Sequence, residues 1–121
     1  MEKLADAALE QVAEYFAALA VPARLKLLNA LRHGERCVGE LTALTGCSQA
    51  NVSKHLSILG RSGLVVRASR GTSAYYRIAD SATYELCDLV CGQISKHYAN
   101  RAQIQRTFAR HLSKRPAAQG K

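Results

Sequence analysis

Leu4, Ala8, Val12, Phe16 and Leu19 return every three or four positions, the spacing of one face of an amphipathic helix over about residues 4–18. Val21-Pro22 ends that pattern and opens the next. Proline fits the first turn of a helix, Leu25, Leu28 and Leu31 keep the helical spacing, and His33-Gly34 supplies a stop. A short third helix carries Val38, Leu41 and Leu44 and closes at Gly46. Ser48 then stands where the N-cap of a fourth helix belongs, ahead of an inner face of Val52, Leu56 and Leu59. Two helices joined through a glycine and a few residues form the pattern of a helix-turn-helix.

Beyond Gly63 the pattern changes to short β-prone runs. Leu64-Val65-Val66-Arg67 and Ala74-Tyr75-Tyr76-Arg77-Ile78, separated by Ser69-Arg70-Gly71-Thr72-Ser73, predict one β-hairpin. After Asp80-Ser81 no proline occurs until Pro116, and Leu86, Val90, Ile94, His97, Arg101, Ile104 and Phe108 hold roughly one face. This predicts a single long helix, with Gly92 and Asn100 as its weak points. A chain of 121 residues is too short to bury a second core. The expected fold is mainly α with a small β-hairpin, a winged helix-turn-helix in one domain over residues 1–112, followed by a disordered basic tail at 113–121.

Charge then narrows the function. The chain carries 17 Lys and Arg against 9 Asp and Glu, and the excess is uneven: residues 41–79 hold Lys54, Arg61, Arg67, Arg70 and Arg77 with no acid. A long stretch without a carboxylate suits a surface that approaches a polyanion, and nucleic acid is the expected partner. No run of about 18 apolar residues occurs, which excludes a membrane-spanning helix and a membrane partner. The start Met1-Glu2-Lys3 lacks the basic-then-apolar order of a secretion signal, so the expected location is cytoplasmic.

Several motifs together resemble one family, the ArsR/SmtB metalloregulatory repressors. They are Ala20-Val21-Pro22-Ala23-Arg24-Leu25-Lys26-Leu27-Leu28, Val38-Gly39-Glu40-Leu41, Ser48-Gln49-Ala50-Asn51-Val52-Ser53-Lys54-His55-Leu56, Leu59-Gly60-Arg61-Ser62-Gly63-Leu64-Val65 and Tyr76-Arg77-Ile78. The resemblance covers about residues 15–80. It implies a homodimer that binds a double-stranded operator and releases it when an inducer binds, with the first and fifth helices as the dimer interface. A fifth helix of about 30 residues would extend roughly 45 Å, too far for so small a domain to cover, so its apolar stripe needs a partner. Symmetric pairing would set two recognition helices about 34 Å apart and imply an inverted-repeat operator.

The fourth helix has the character of a recognition helix. Ser48, Gln49, Asn51, Ser53, Lys54 and His55 fall away from Val52, Leu56 and Leu59 and present polar groups without an acid. Glutamine and asparagine pair bidentately with adenine, and serine and lysine reach base edges or phosphates. An ordinary solvated helix face would more often mix Glu with Lys. Arg67, Arg70 and Thr72 at the hairpin resemble the wing that reaches flanking phosphates or the minor groove, where the plain alternative is a basic turn.

Four cysteines remain. In a reducing compartment Cys37, Cys47, Cys87 and Cys91 are free thiols or metal ligands rather than a disulfide framework. Arsenic sensors of the family carry Cys-Val-Cys-Asp-Leu where this chain reads Cys37-Val38-Gly39-Glu40-Leu41, which leaves one thiol, so Cys37 is an auxiliary ligand or a structural residue. The family's zinc site on the fifth helix would fall on Asp80, Ala82, Gln93 and Lys96, of which only Asp80 could ligate. Cys87 and Cys91, one helical turn apart, sit about 6 Å apart at Cβ, too far for a disulfide. Suitable rotamers bring such a pair onto one thiophilic ion such as arsenite, antimonite, cadmium or lead. Their alternatives are oxidation by reactive sulfur or oxygen species, packing as small hydrophobes, or a regulator with no metal inducer. Cys47 reads as a turn residue, and His33, His97 and His111 lack ligand spacing.

Two other classes compete. An enzyme with Cys87 or Cys91 as nucleophile would need a base and an orienting acid at recognisable spacing, and none is found, so no enzyme is expected. An RNA-binding winged helix would lack selectivity for one DNA duplex.

Overall fold

The computed structural model describes residues 3–113, with side chains as far as Arg110. The tail expected over 113–121 lies, past Ser113, outside the described residues, as does the side chain of His111. The chain divides into two compact units, one ending at Ser81 and one beginning at Ala82. The first contains α1 (Asp6–Leu19), α2 (Pro22–Ala30), β1 (Arg36–Cys37), α3 (Val38–Thr45), α4 (Gln49–Arg61), β2 (Val65–Arg70) and β3 (Ser73–Ile78). The second is the helix α5 (Ala82–Ser113).

Local chemistry explains most boundaries. Pro22 opens α2 at a position whose N–H would have no helical partner. The helix stops at Ala30, three residues short of the expected His33-Gly34, and Leu31 closes it by donating to the carbonyls of Leu27 and Leu28. The shorter α2 frees the chain to deliver Arg36 and Cys37 to the edge of β3 as β1, a strand that was not expected because two residues carry no readable period. α3 ends at Gly46 in the left-handed region, φ 73°, where its N–H still bonds to the carbonyl of Thr42. Ser48 then starts α4, its Oγ accepting the Asn51 N–H at 3.2 Å.

The expected hairpin becomes a three-stranded antiparallel sheet in the order β1-β3-β2. Arg36 faces Tyr76 and Cys37 faces Tyr75 across β1 and β3, while Val65 faces Ile78 and Arg70 faces Ser73 across β2 and β3. The strands run on to Arg70 and Ser73, which leaves Gly71-Thr72 as a two-residue turn tighter than the loop the sequence suggested. Gly71 takes φ 62° at its first central position, the place a type II′ turn reserves for glycine.

Leu27, Leu31, Leu41, Val52, Leu56, Leu59 and Leu64 are each at most 1% exposed, so α2, α3, α4 and the start of β2 share one aliphatic core. α5 is an unbroken helix of 32 residues, about 48 Å long at 1.5 Å per residue, with no interruption at Gly92 or Asn100. Leu89, Val90, Ile94, Tyr98, Ile104 and Phe108 along it are exposed. Among the described residues no helix is long and apolar enough to cross a membrane.

The core predicts a contrast within the helix-turn-helix. Leu56→Ala should lower the unfolding free energy by about 2–5 kcal/mol, because it empties a site that neighbours cannot refill. Leu44→Ala, at a position 57% exposed, should stay within about 0.5 kcal/mol. Urea denaturation at fixed protein concentration separates the two.

Candidate nucleic-acid interface and thiol sites

α4 is oriented by its inner residues. With Val52, Leu56 and Leu59 buried, a rotation of about 100° per residue turns Ala50, Lys54, Ser57 and Arg61 to the opposite side, with Asn51 and Ser53 on the flanks. Gln49, Asn51, Ser53 and Lys54 are all exposed, and so are Ser57 and Arg61, which the sequence reading passed over. Counting the helical wheel from Val52 would have found both. Ser48 is exposed but already engaged as the cap of α4.

His55 differs from its neighbours. It is half-buried and lies at the margin of the core stripe rather than on the outward face, with Nδ1 3.5 Å from a terminal guanidinium nitrogen of Arg24. Arginine only donates, so the imidazole accepts through Nδ1 and carries its hydrogen on Nε2. Arg24 also donates through Nε to the Ala18 carbonyl at 2.7 Å and through its other terminal nitrogen to the Ala17 carbonyl at 3.2 Å. One α2 side chain therefore satisfies the end of α1 and abuts α4. Partial burial holds the His55 pKa below its ordinary 6.5, and the nearby Arg24 and Lys54 charges push it the same way.

The wing residues are less free than a basic turn implies. Thr72 is exposed in the turn. Arg67 donates to the Ser69 hydroxyl at 3.1 Å. Arg70 is gripped bidentately by Glu35, with its second contact at 3.0 Å, and its guanidinium lies 5.1 Å from the centre of the Tyr75 ring. Nothing in the sequence signals this pair, because its partners are 35 residues apart.

Each thiol has its own setting. Cys37 is the N-cap of α3: its N–H donates to Oε1 of Glu40 at 3.0 Å, and its thiol occupies the serine position of a capping box. That hydrogen bond, then the thiol and then Arg36, hold Glu40 below its ordinary 4.5. Cys47 is half-buried in the turn between α3 and α4, its N–H donating to Thr45 Oγ1 at 3.3 Å. On α5, Cys87 is half-buried and Cys91 exposed, one turn apart along the margin of the exposed apolar stripe. Among the described residues no group of three His, Cys, Asp or Glu side chains is positioned to hold a metal ion. Asp80 is exposed, as are Ala82, Gln93 and Lys96. Two open clefts, lined by Lys26, His33 and Arg36 and by Glu14, Tyr15 and Arg61 among others, contain no cysteine.

Comparison with known proteins brings these features together. The profile of the arsR family of bacterial regulatory proteins matches residues 21–66, from the start of α2 to the beginning of β2. The chain is 42% identical over 77 residues to a transcriptional repressor SmtB homolog of Synechocystis sp., covering 64% of this chain and 58% of that protein. Against such curated relatives the chain spans little more than half their length. The solution structure of a homodimeric winged helix-turn-helix DNA-binding domain from Mycobacterium bovis, a possible ArsR-family regulator, superposes with a TM-score of 0.70 at 36% identity, covering 83% of this chain and 95% of that one. The crystal structure of the antimony-specific transcriptional repressor AntR gives 0.69 at 30% identity, covering 82% and 90%. The Synechocystis relative and AntR are named as transcriptional repressors and the Mycobacterium bovis domain as a possible transcriptional regulator.

The His55 environment sets a pH dependence. The unfolded chain binds this proton more tightly than the folded one, so its contribution to stability is complete above 6.5 and is lost as pH falls from 6.5 towards the lowered folded value. Melting temperature should drop between about pH 7.5 and about pH 5.5, and His55→Gln should remove part of that drop. An unchanged pH profile in the variant would show that His55 carries none of it.

Proposed function

The chain belongs to the ArsR family of bacterial regulatory proteins, and on that premise we propose that it is a homodimeric, sequence-specific repressor released from its operator through the thiols of Cys87 and Cys91. The observation that carries the DNA reading is the exposed polar surface of α4, where Lys54 faces outward, Asn51 and Ser53 flank it and Gln49 is exposed in the first turn, on a helix without an acid. These groups read base edges, while Ser48 and His55 at the margins of α4 and Arg67, Arg70 and Thr72 of the wing contact the backbone. Residues 1–112 act as one DNA-binding and dimerisation domain, and the DNA partner implies a cytoplasmic site of action.

Dimerisation has two supports. Phe16 of α1 is 48% exposed and Leu89, Tyr98 and Phe108 of α5 are 71%, 61% and 63% exposed, more apolar surface than a lone helix leaves in water without function. The Mycobacterium bovis relative is itself a homodimer. A two-fold dimer reads a two-fold site, so selection from randomised duplexes should enrich an inverted repeat with half-sites about 10 base pairs apart.

The inducer reading rests on two soft donors at i and i+4 on α5, the helix whose apolar stripe would join the subunits. A thiophilic ion such as arsenite, antimonite, cadmium or lead would draw both sulfurs together and repack that stripe. The family likeness to an antimony-specific repressor points the same way. Among the described residues no group of three ligands includes the pair, so a further ligand would come from the partner subunit's cysteines or from Cys37. The exposure of Cys91 favours a second reading, in which a reactive sulfur or oxygen species modifies the thiols without any metal.

Two sets of variants test these roles. Gln49→Ala or Ser53→Ala should weaken operator binding and relax sequence preference, each by about 1–3 kcal/mol of discrimination. Arg70→Ala should weaken all duplexes alike and reduce the salt slope by about one. A monomeric, salt-insensitive wild type would sink this reading.

Cys87→Ser/Cys91→Ser should bind the operator as wild type does but lose its release by metalloid, metal or thiol oxidant. In the wild type that release should lower affinity about 5- to 150-fold. A double variant that responds normally would show that the pair only packs the interface.

A further inference from the structure

Residues 41–79 contain no carboxylate, yet the structure brings one to the wing from outside that stretch. Pairing of β1 with β3 sets Cys37 opposite Tyr75, and Ala68 lies opposite the same tyrosine on the other side, so Arg70, two residues on, shares that face. Glu35, immediately before β1, meets Arg70 there and holds both terminal nitrogens of its guanidinium, while Tyr75 underlies it. Side-chain exposure is 24% for Glu35 and 59% for Arg70, so the arginine is the more accessible partner.

Carboxylate and phosphate present the same pair of oxygens to an arginine fork. We propose that Glu35 is an internal counter-ligand of the wing: in the DNA-free protein it occupies the donors with which Arg70 grips a DNA phosphate. The proposal rests on the reading of Arg70 as a phosphate contact and adds a residue that sets its strength. Binding exchanges one bidentate pair for another, so Arg70 contributes less net affinity than a free arginine would. The exchange is sequence-independent, because it involves only the phosphate, and it lowers attachment to every duplex together. Specific and non-specific binding are weakened by the same factor, since the phosphate contact is common to both. Glu35 thus sets the strength of DNA attachment without touching a base and leaves the ratio between operator and random duplex unchanged.

The test uses the full chain and a mixed-sequence duplex of about 40 base pairs, long enough to offer both half-sites, with affinity read by fluorescence anisotropy at several salt concentrations. Glu35→Gln, which keeps the size and removes the charge, should bind about two- to fivefold tighter, the scale of an exposed ion pair. The gain should vanish in an Arg70→Ala background. Glu35→Ala should reproduce the gain and serves if thermal melting shows the glutamine variant unfolded. Unchanged or weaker binding by these variants, with wild type bound, overturns the counter-ligand and makes Glu35 a strut for the wing. A gain of equal size without Arg70 also overturns it, since simple repulsion of DNA would then suffice. A wild type that leaves the duplex unbound removes the parent reading and the inference with it.

Discussion

The aliphatic contact among α2, α3 and α4 is the constraint from which the other features follow. Leu27 from α2 and Leu31 at its C-cap, Leu41 from α3, and Val52, Leu56 and Leu59 from α4 are almost wholly withdrawn from water, and a core this small has no spare residues. Because α4 spends one side on that contact, the rotation of the helix is fixed. Its polar side must then face outward, without any polar side chain having to direct it. The capping groups at either end of the turn, Gly46 in the left-handed region and Ser48 on the Asn51 amide, set where the rotation begins.

Around this core, charge is arranged by pairing rather than by abundance. Arg24 uses its donors on the carbonyls that end α1 and on the imidazole of His55, so it ties α4 to α1 instead of projecting into solvent. Arg70 is held by Glu35 and Tyr75. Lys54, Ser57 and Arg61 remain exposed on the outward side of α4. The net charge of +8 already subtracts such acidic partners, and the pairing decides which individual cations are available to a polyanion.

The second unit shows the opposite economy of burial. α5 exposes aromatic and aliphatic residues over most of its length, with Cys87 and Cys91 at the margin of the same stripe. Anything that binds or oxidises these thiols acts beside that exposed stripe. Cys37 has the reverse setting. Its amide and thiol are used to start α3, so reaction there would disturb a helix end inside the first unit.

The sequence by itself determined the helices, the turn between α3 and α4, and the hairpin, because apolar spacing and capping residues act within a few positions of the chain. The acid-free stretch and the polar face of α4 were equally legible, since both are properties of consecutive residues. Only the tertiary structure decided that α2 stops at Ala30 so that Arg36 and Cys37 can join β3. It also decided that His55 turns towards Arg24, 31 residues away, and that Glu35 closes on Arg70, 35 residues away. These contacts depend on which segments the folded core brings within a few ångströms, and separation along the chain carries no trace of that distance.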